Sequence, residues 1–306
     1  MRVTEPLAME SNQSNTKKEE IFRLFDEKPS SGLGFLDFPD KALPPPPPCL
    51  EVLSSEVSQN VRYTVEPVNV SGLTLLKGRV STHEVFALAD SDLVPGQYEG
   101  GLKLWEGSLD LITALSSQMQ DRSLSFTGKR VLEVGPLMLS LDVVMDFLVY
   151  SLAYRTCGAE AVHFQDFNAE VLQCLTIPNV NANLEKNSQC LAPNDNINVK
   201  TRFFSGDWGE VHRVLDQAAG YDVILMAETV YSISALPNLY KLLKKCLSYP
   251  HGVAYMAAKK YYFGVGGGSR RFLSIVEKDG SLASSLVAEV ADGSSNVREV
   301  WKLHFK

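Results

Sequence analysis

The sequence predicts an α/β fold: a Rossmann-like, mostly parallel sheet of seven strands with helices on both faces and an antiparallel strand at the C-terminal end. Three observations predict it. Short apolar strands alternate with helical segments from Arg130 onward, the pattern of a sheet whose strands are joined by crossover helices. Hydrophobic residues make up 45% and charged residues 21% of the 306 positions, the balance of a chain with a sizeable core. The last two strands follow one another without a helix between them, so they pair antiparallel as a hairpin does. The length suits one large domain with an extension, because single domains commonly hold about 50 to 250 residues.

Residues 1–60 are rich in Ser, Asn, Glu and Lys and close with the run Pro44 to Pro48. Such a composition buries too little apolar surface to offset chain entropy, so the span reads as a disordered arm. Its apolar pieces, Ile21 to Phe25 and Phe35 to Phe38, are too short for cooperative structure of their own. The folded domain is expected over 61–306. Within it, Val68, Val70, Leu73, Leu75 and Leu76, punctuated by Gly72 and Gly78, predict short strands in a cap over 61–97. The core over 98–306 opens with a helix at Ser108 to Gln120, where Leu109, Ile112, Leu115 and Met119 recur at helical spacing.

Strands are predicted at Arg130–Val134, Ala161–Phe164, Lys200–Phe204, Tyr221–Met226, Gly252–Ala258, Ser284–Val290 and Val297–Phe305, with a helix over Leu236–Leu247. The run Leu137 to Ala153 is apolar, but Asp142 and Asp146 interrupt it. An aspartate at mid-bilayer costs roughly 2.5 to 3.5 kcal/mol, so a buried helix is expected there and no membrane span.

A net charge of −7 disfavours a broad nucleic-acid face and favours a basic protein as partner. Cys49, Cys157, Cys174, Cys190 and Cys246 have neither zinc spacing nor a disulfide framework, which implies reduced thiols in the cytosol or nucleus. The N-terminus has no secretory pattern. His83, His163, His212, His251 and His304 form no metal-spaced pair, and structural roles are expected for them. GxSxG, P-loop and CxxC motifs are absent, which lowers hydrolase, NTPase and redox readings.

In a sheet of this kind ligands bind beyond the carboxyl ends of the strands. Glu133, near the end of the first strand and followed by Gly135, can attract a cationic ligand group or form a strand-end salt bridge. Asp166, in Gln165-Asp166-Phe167, can accept both hydroxyls of a ribose, as in dinucleotide-binding folds. Asp207 and Trp208, after Gly206, suit a purine amino group beside an indole, or equally a helix cap with a packing partner. After the fourth strand, Ala227-Glu228-Thr229-Val230-Tyr231 brings a carboxylate and a phenol to the same edge, with helix capping as the alternative for Glu228. A nicotinamide cofactor is disfavoured because no GxGxxG follows the first strand.

Several strings carry a more specific likeness: Tyr98 to Glu106 (YEGGLKLWE), His163 to Asn168, Pro178-Asn179-Val180, Phe203 to Trp208, and Lys259 to Gly268 with its YFGVGGG. In this order, over about Tyr98 to Phe305, they resemble the histidine protein methyltransferases. The resemblance implies the seven-strand methyltransferase fold, S-adenosyl-L-methionine as methyl donor and a histidine side chain as acceptor, in a large-subunit ribosomal protein. It implies cofactor contacts from Leu104, Trp105, Glu106, Gln165, Asp166, Phe167, Gly206, Asp207, Trp208 and Ala227. Apart from the resemblance, no metal is expected, and the chain is expected to be a monomer. Methyl transfer from a sulfonium is an in-line displacement, so the enzyme positions a neutral nucleophile and excludes water. Glu228 would then fix the imidazole tautomer, with Tyr231 beside it.

One departure stands out. Where the family has a glycine-rich turn after Val134-Gly135, this chain has Pro136-Leu137-Met138-Leu139-Ser140-Leu141, and the segment to Gly158 is longer than the family needs. A non-catalytic protein-binding variant and a lysine-specific methyltransferase are therefore weighed beside the histidine enzyme.

Overall fold

The computed structural model describes residues 44–70, 73–88, 94, 96–103, 105–135, 159–188, 200–215, 220–291, 293 and 296–306. Outside these lie the apolar pieces of the predicted arm, the run Leu137–Ala153, the altered segment Pro136–Thr156, Leu104 and Asp292 of the C-terminal turn.

The strands are β1 (Leu50–Val52), β2 (Thr64–Val70), β3 (Leu73–Arg79), β4 (Arg130–Val134), β5 (Ala161–Asp166), β6 (Lys200–Ser205), β7 (Val223–Ala227), β8 (Val253–Lys259), β9 (Leu282–Val290) and β10 (Arg298–Phe305). The helices are α1 (Thr82–Phe86), α2 (Glu106–Gln120), α3 (Ala169–Val171), α4 (Ile177–Ser188), α5 (Leu236–Cys246) and α6 (Ser269–Asp279). A π-helical turn, Leu172–Thr176, joins α3 to α4.

Among the described residues, eight strands form one sheet in the order β1-β6-β5-β4-β7-β8-β10-β9, and β2 and β3 form a separate antiparallel pair. β6, β5, β4, β7 and β8 run parallel. β10 is antiparallel to both β8 and β9. This is the α/β methyltransferase sheet, and all seven predicted strands are in it. The chain passes from β4 to β5 on one side and returns to β7 on the other. β4 and its neighbours therefore flank the switch point, where a crevice opens beyond the carboxyl ends.

Burial on both faces explains why β7 reads Val-Ile-Leu-Met-Ala without a polar residue. Val223, Leu225 and Ala227 enter one core with Leu111, Ile112 and Leu115 of α2 and Val180 of α4. Ile224 and Met226 enter the other with Leu239 and Leu243 of α5 and Phe272 of α6.

The arm expected over 1–60 needs correction at its end. Leu50–Val52 pair antiparallel with Phe203–Ser205 of β6 as an eighth strand, and Val52 is buried. Three residues need no core of their own when they add to an edge already ordered. Their signal is diluted by the prolines and serines on either side.

The β2–β3 pair is held to α4 by two asparagines one turn apart. Asn179 Oδ1 accepts from the Gly78 amide at 2.8 Å and the Tyr63 hydroxyl at 2.7 Å. Asn183 accepts from the Leu76 amide at 2.9 Å and donates to the Leu76 carbonyl at 2.7 Å, as a neighbouring strand would.

The N-terminal turn of α2 is tied to β10, where Arg298 bonds Asp110 at 2.6 Å and Glu106 at 3.2 Å. Arg298 is largely buried, so removing its nearer anion is costly. Asp110→Ala should lower stability by roughly 2 kcal/mol in urea denaturation. An unchanged midpoint would mean that Glu106 suffices to hold the guanidinium.

Among the described residues no helix is long and apolar enough to cross a membrane. No group of three His, Cys, Asp or Glu side chains among them could hold a metal ion.

Candidate active site

The crevice has one side made by β4, β5 and β6. Glu133 is buried at the end of β4. The Gly135 amide donates to the Gln165 carbonyl at 2.7 Å, and a Cβ at Gly135 would stand 2.5 Å from that oxygen, so only glycine lets the two strand ends approach. Asp166 is the last residue of β5. Its Oδ1 accepts from the Asn168 amide at 2.8 Å, and its Oδ2 lies against Gly101, where a Cβ would meet it at 2.8 Å. Phe167 is buried beside it.

Two residues read as cofactor contacts are occupied within the fold. Gln165 donates to the Gly206 carbonyl at 2.9 Å and accepts from the Trp208 indole at 3.0 Å. Trp208 is 2% exposed and packs with Phe204, Val211 and Leu239. Their side chains lock the ends of β5 and β6 together, which is the packing role weighed for the indole beside a purine pocket. Asp207 is half-buried; its Oδ1 accepts from the Gly209 amide at 2.7 Å and its carbonyl receives the Glu210 and Val211 amides. These bonds close a tight turn and not a helix cap, because the next helical turn, Val211–Arg213, has Glu210 at its cap position.

Across the carboxyl ends runs the segment 96–103. The Leu102 amide donates to the Tyr98 hydroxyl at 3.0 Å, and Asn168 bonds the Gln97 carbonyl at 2.9 Å. The segment leads to Trp105 and α2. The Trp105 indole nitrogen is buried with no hydrogen-bond partner among the described residues, and the Lys259 ammonium lies 5.7 Å from its ring centre. The Glu106 carboxylate, 59% exposed, pairs with Arg298 and so has a structural ion to hold.

The other side of the crevice is built on β7 and β8. Glu228 follows β7 with φ 58°, a left-handed conformation that costs a non-glycine residue roughly 1 to 2 kcal/mol. Strain of this kind clusters at functional sites. The side chain is 1% exposed. Oε2 accepts from the Tyr262 hydroxyl, while Oε1 has no hydrogen-bond partner among the described residues and faces Gly107 in the first turn of α2. Burial pushes its carboxyl up to about 7, against the opposing pull of Lys259 and Arg298. Helix capping does not explain Glu228, because α5 begins only at Leu236 and its cap is Ala235.

Tyr231 is buried and donates to Glu99 Oε2 at 2.9 Å. Burial first, and then the Glu99 carboxylate, hold its phenol protonated well above the usual range. Its ring meets that of Tyr262 edge-on, with centroids 6.5 Å apart. The glycine-rich loop after β8 is fastened to the loop after β7: the Gly268 amide donates to the Val230 carbonyl at 2.8 Å, and Ser232 bridges Gly266. At its tip Phe263 is 86% exposed, with Tyr261, Val265 and Ile233 exposed nearby.

The structure thus brings Glu228 and Tyr231 to one side of the crevice and Glu133, Gly135 and Asp166 to the other, with Ala227 buried beneath Glu228. Sequence reasoning missed Glu99, Gly107 and Tyr262. Glu99 and Tyr262 stand inside strings already singled out, but nothing in their spacing says that each reaches a partner more than thirty residues away. His163, placed among structural histidines, is buried with Nδ1 2.7 Å from the Tyr221 hydroxyl. A separate open cleft of about 690 Å³ is lined by Arg62, Lys77, Arg79 and Lys103. It lies on the hairpin side, and Glu66 already pairs with Lys77 and Arg79.

Comparison with known proteins bears on this crevice. A family model described as "Lysine methyltransferase" matches residues 159–279. A relative from Dictyostelium discoideum, named histidine protein methyltransferase 1 homolog, is 38% identical over 213 residues, 70% of this chain and 60% of that protein. The rat protein of the same name is 34% identical over 218 residues, 66% of this chain and 56% of that protein. Over the matched residues the chain is similar to the histidine protein methyltransferases. It spans about three fifths of the length of these curated relatives. Among solved structures, a Thermus thermophilus 16S rRNA guanine methyltransferase in complex with AdoMet aligns at TM-score 0.45 and 14% identity, covering 80% of this chain and 51% of that one. The similarity agrees with the strand order, which reproduces the methyltransferase sheet on its own.

Proposed function

We propose that this chain transfers a methyl group from S-adenosyl-L-methionine to a histidine side chain of a protein. The observation that carries the reading is Glu228: a buried carboxylate at the end of β7, titrating at about 7, with one oxygen held by Tyr262 and the other open among the described residues. A neutral imidazole could donate its N–H to that oxygen. The ring's other nitrogen then keeps its lone pair for attack. A new N–C bond forms as the methyl–sulfur bond breaks, leaving S-adenosyl-L-homocysteine, and the ring N–H proton of the resulting cation passes to Glu228. A group with a pKa near that of imidazole is well matched to hold the proton reversibly. An ammonium acceptor would need a stronger base.

The residues of the opposite side fit the cofactor. Asp166 ends β5 where a ribose acceptor is needed, Glu133 adds negative charge near a sulfonium or amino group, and Gly135 keeps the strand end free of a side chain. When bound, the cofactor supplies the electrophilic methyl group. Asp166→Asn should weaken S-adenosyl-L-homocysteine binding by roughly 10- to 100-fold, the loss expected for a charged hydrogen bond, as read by calorimetry. Equal affinity would remove Asp166 from the cofactor site.

The resemblance and the net charge of −7 support a basic acceptor protein, and we propose one from the large ribosomal subunit. On the same reading the chain acts as a monomer in cytoplasm and nucleus, without direct contact to nucleic acid or membrane. The reading is tested by incubating the chain with large-subunit proteins and methyl-labelled cofactor, then hydrolysing the product. Label in methylhistidine is expected. Label confined to methyl-lysine would favour the activity in the family model's description. The altered segment Pro136–Thr156 favours a second reading, a non-catalytic protein-binding variant, which S-adenosyl-L-homocysteine binding at ordinary affinity would sink.

A further inference from the structure

Glu99 is a buried carboxylate with no cation among its hydrogen-bond partners in the described residues. Oε1 accepts from the Gly96 amide at 2.6 Å and Oε2 from the Tyr231 hydroxyl at 2.9 Å. Burying a charge in this way is costly unless it is fully hydrogen-bonded, and an apolar residue would fill the space more cheaply. The contacts therefore need a reason beyond packing. They join the two sides of the crevice. On one side Asp166 accepts from the Asn168 amide, and Asn168 in turn bonds the Gln97 carbonyl and receives the Glu99 amide at 3.4 Å. On the other, the Tyr231 ring abuts Tyr262, whose hydroxyl donates to Glu228.

We infer that Glu99 is a positioning residue, which holds the Tyr231 phenol and thereby ties the segment lying over Asp166 to the acceptor side of the crevice. The inference rests on the methyl-transfer reading for the names of the two sides, but the link itself is a matter of geometry. When a ligand engages Asp166 and shifts the covering segment, Glu99 carries that shift to Tyr231. Through the edge contact with Tyr262 it reaches the group that would receive the acceptor. Spatial continuity alone does not establish such coupling, so the test has to measure it.

The experiment uses the full chain with tyrosine labelled at the ring Cζ carbon, and Tyr231→Phe identifies the Tyr231 resonance. S-adenosyl-L-homocysteine is titrated into wild type and Glu99→Gln, which keeps the volume and removes the charge. The expected result is that E99Q moves the Tyr231 resonance in the free protein. Ligand should then shift that resonance in wild type and leave it largely still in E99Q, with ligand affinity changed less than about threefold. In turnover, E99Q and Y231F should each lower kcat about tenfold or more with little change in KM, and the double variant should be no slower than the slower single one. A Tyr231 resonance indifferent to E99Q, an equal ligand response in both proteins, or losses that multiply in the double variant would overturn the inference. If wild type binds no S-adenosyl-L-homocysteine, the methyl-transfer reading fails and the coupling fails with it. If it binds but yields no methylhistidine, only the acceptor assignment fails, and the resonance still decides the role of Glu99.

Discussion

Replacing Glu228 with glutamine should abolish most of the methyl transfer and, in the cofactor-free protein, make the fold more stable at pH 8. The loss follows from its place at the reacting centre: a positioned proton acceptor contributes about 10²- to 10⁴-fold. The gain follows from its titration. The folded carboxyl titrates at about 7 and the ordinary value is 4.5, so between those values the native state binds more protons than the unfolded state. Stability therefore falls as pH rises from about 4.5 through 7 and is level above that. The interval corresponds to at most about 3 kcal/mol, an upper bound because glutamine leaves an amide of its own to satisfy. Urea denaturation of E228Q and wild type should give nearly equal stabilities at pH 4 and the full difference at pH 8. If the variant is no more stable at pH 8, the carboxylate is compensated by its surroundings and the strained, buried site is not held at a cost to the fold.

Gly267→Ala should have an effect of similar size on turnover by a different route. The backbone there does not require glycine, since Gly267 is absent from the positions with positive φ. Space does require it: an added Cβ would overlap the carbonyl groups of Tyr231 and Val230. Both loops are anchored through their backbones, so neither yields cheaply, and overpacking of this kind costs about 1 to 3 kcal/mol. Pushing the loop outward draws Tyr262 off Glu228. Turnover of a protein acceptor should fall at least about 100-fold, the scale of losing one positioned catalytic group. Binding of S-adenosyl-L-homocysteine should change little, because Asp166 and Gly135 stand on the far side. Gly264→Ala is the control. Its Cβ meets nothing within 4 Å, and its φ of 86° costs alanine only about 1 to 2 kcal/mol of local strain. Parallel losses of cofactor binding and turnover in G267A would mean that the two sides are not separable.

Much of this architecture is legible in the sequence, for identifiable reasons. β7 announces itself as an unbroken apolar run because it is covered on both faces, and α2 shows its stripe because only one side is buried. Glu133, Asp166 and Glu228 are legible because strand ends can be counted, and strand ends are where the crevice must be. Trp208 stays open between two readings in the sequence because an indole beside a carboxylate reads the same whether it lines a pocket or closes a core. The choice was made by Gln165, which presents both its amide atoms to β6 and its corner. Glu99 and Tyr262 were out of reach for a related reason: their partners lie 132 and 34 residues away, and no local period encodes a contact of that kind. β1 escaped because its three residues draw their order from the edge they join.

That short strand has a consequence for handling the protein. β6 would otherwise present a free main-chain edge carrying Phe203 and Phe204, the kind of row onto which a second chain can add. Leu50–Val52 occupy its final three positions, and Cys49 lies over Gly206 just beyond. A chain shortened to begin near residue 55 would keep the residues of the crevice but uncover this row. Its first failing would be self-association with rising concentration, well before any change in chemistry.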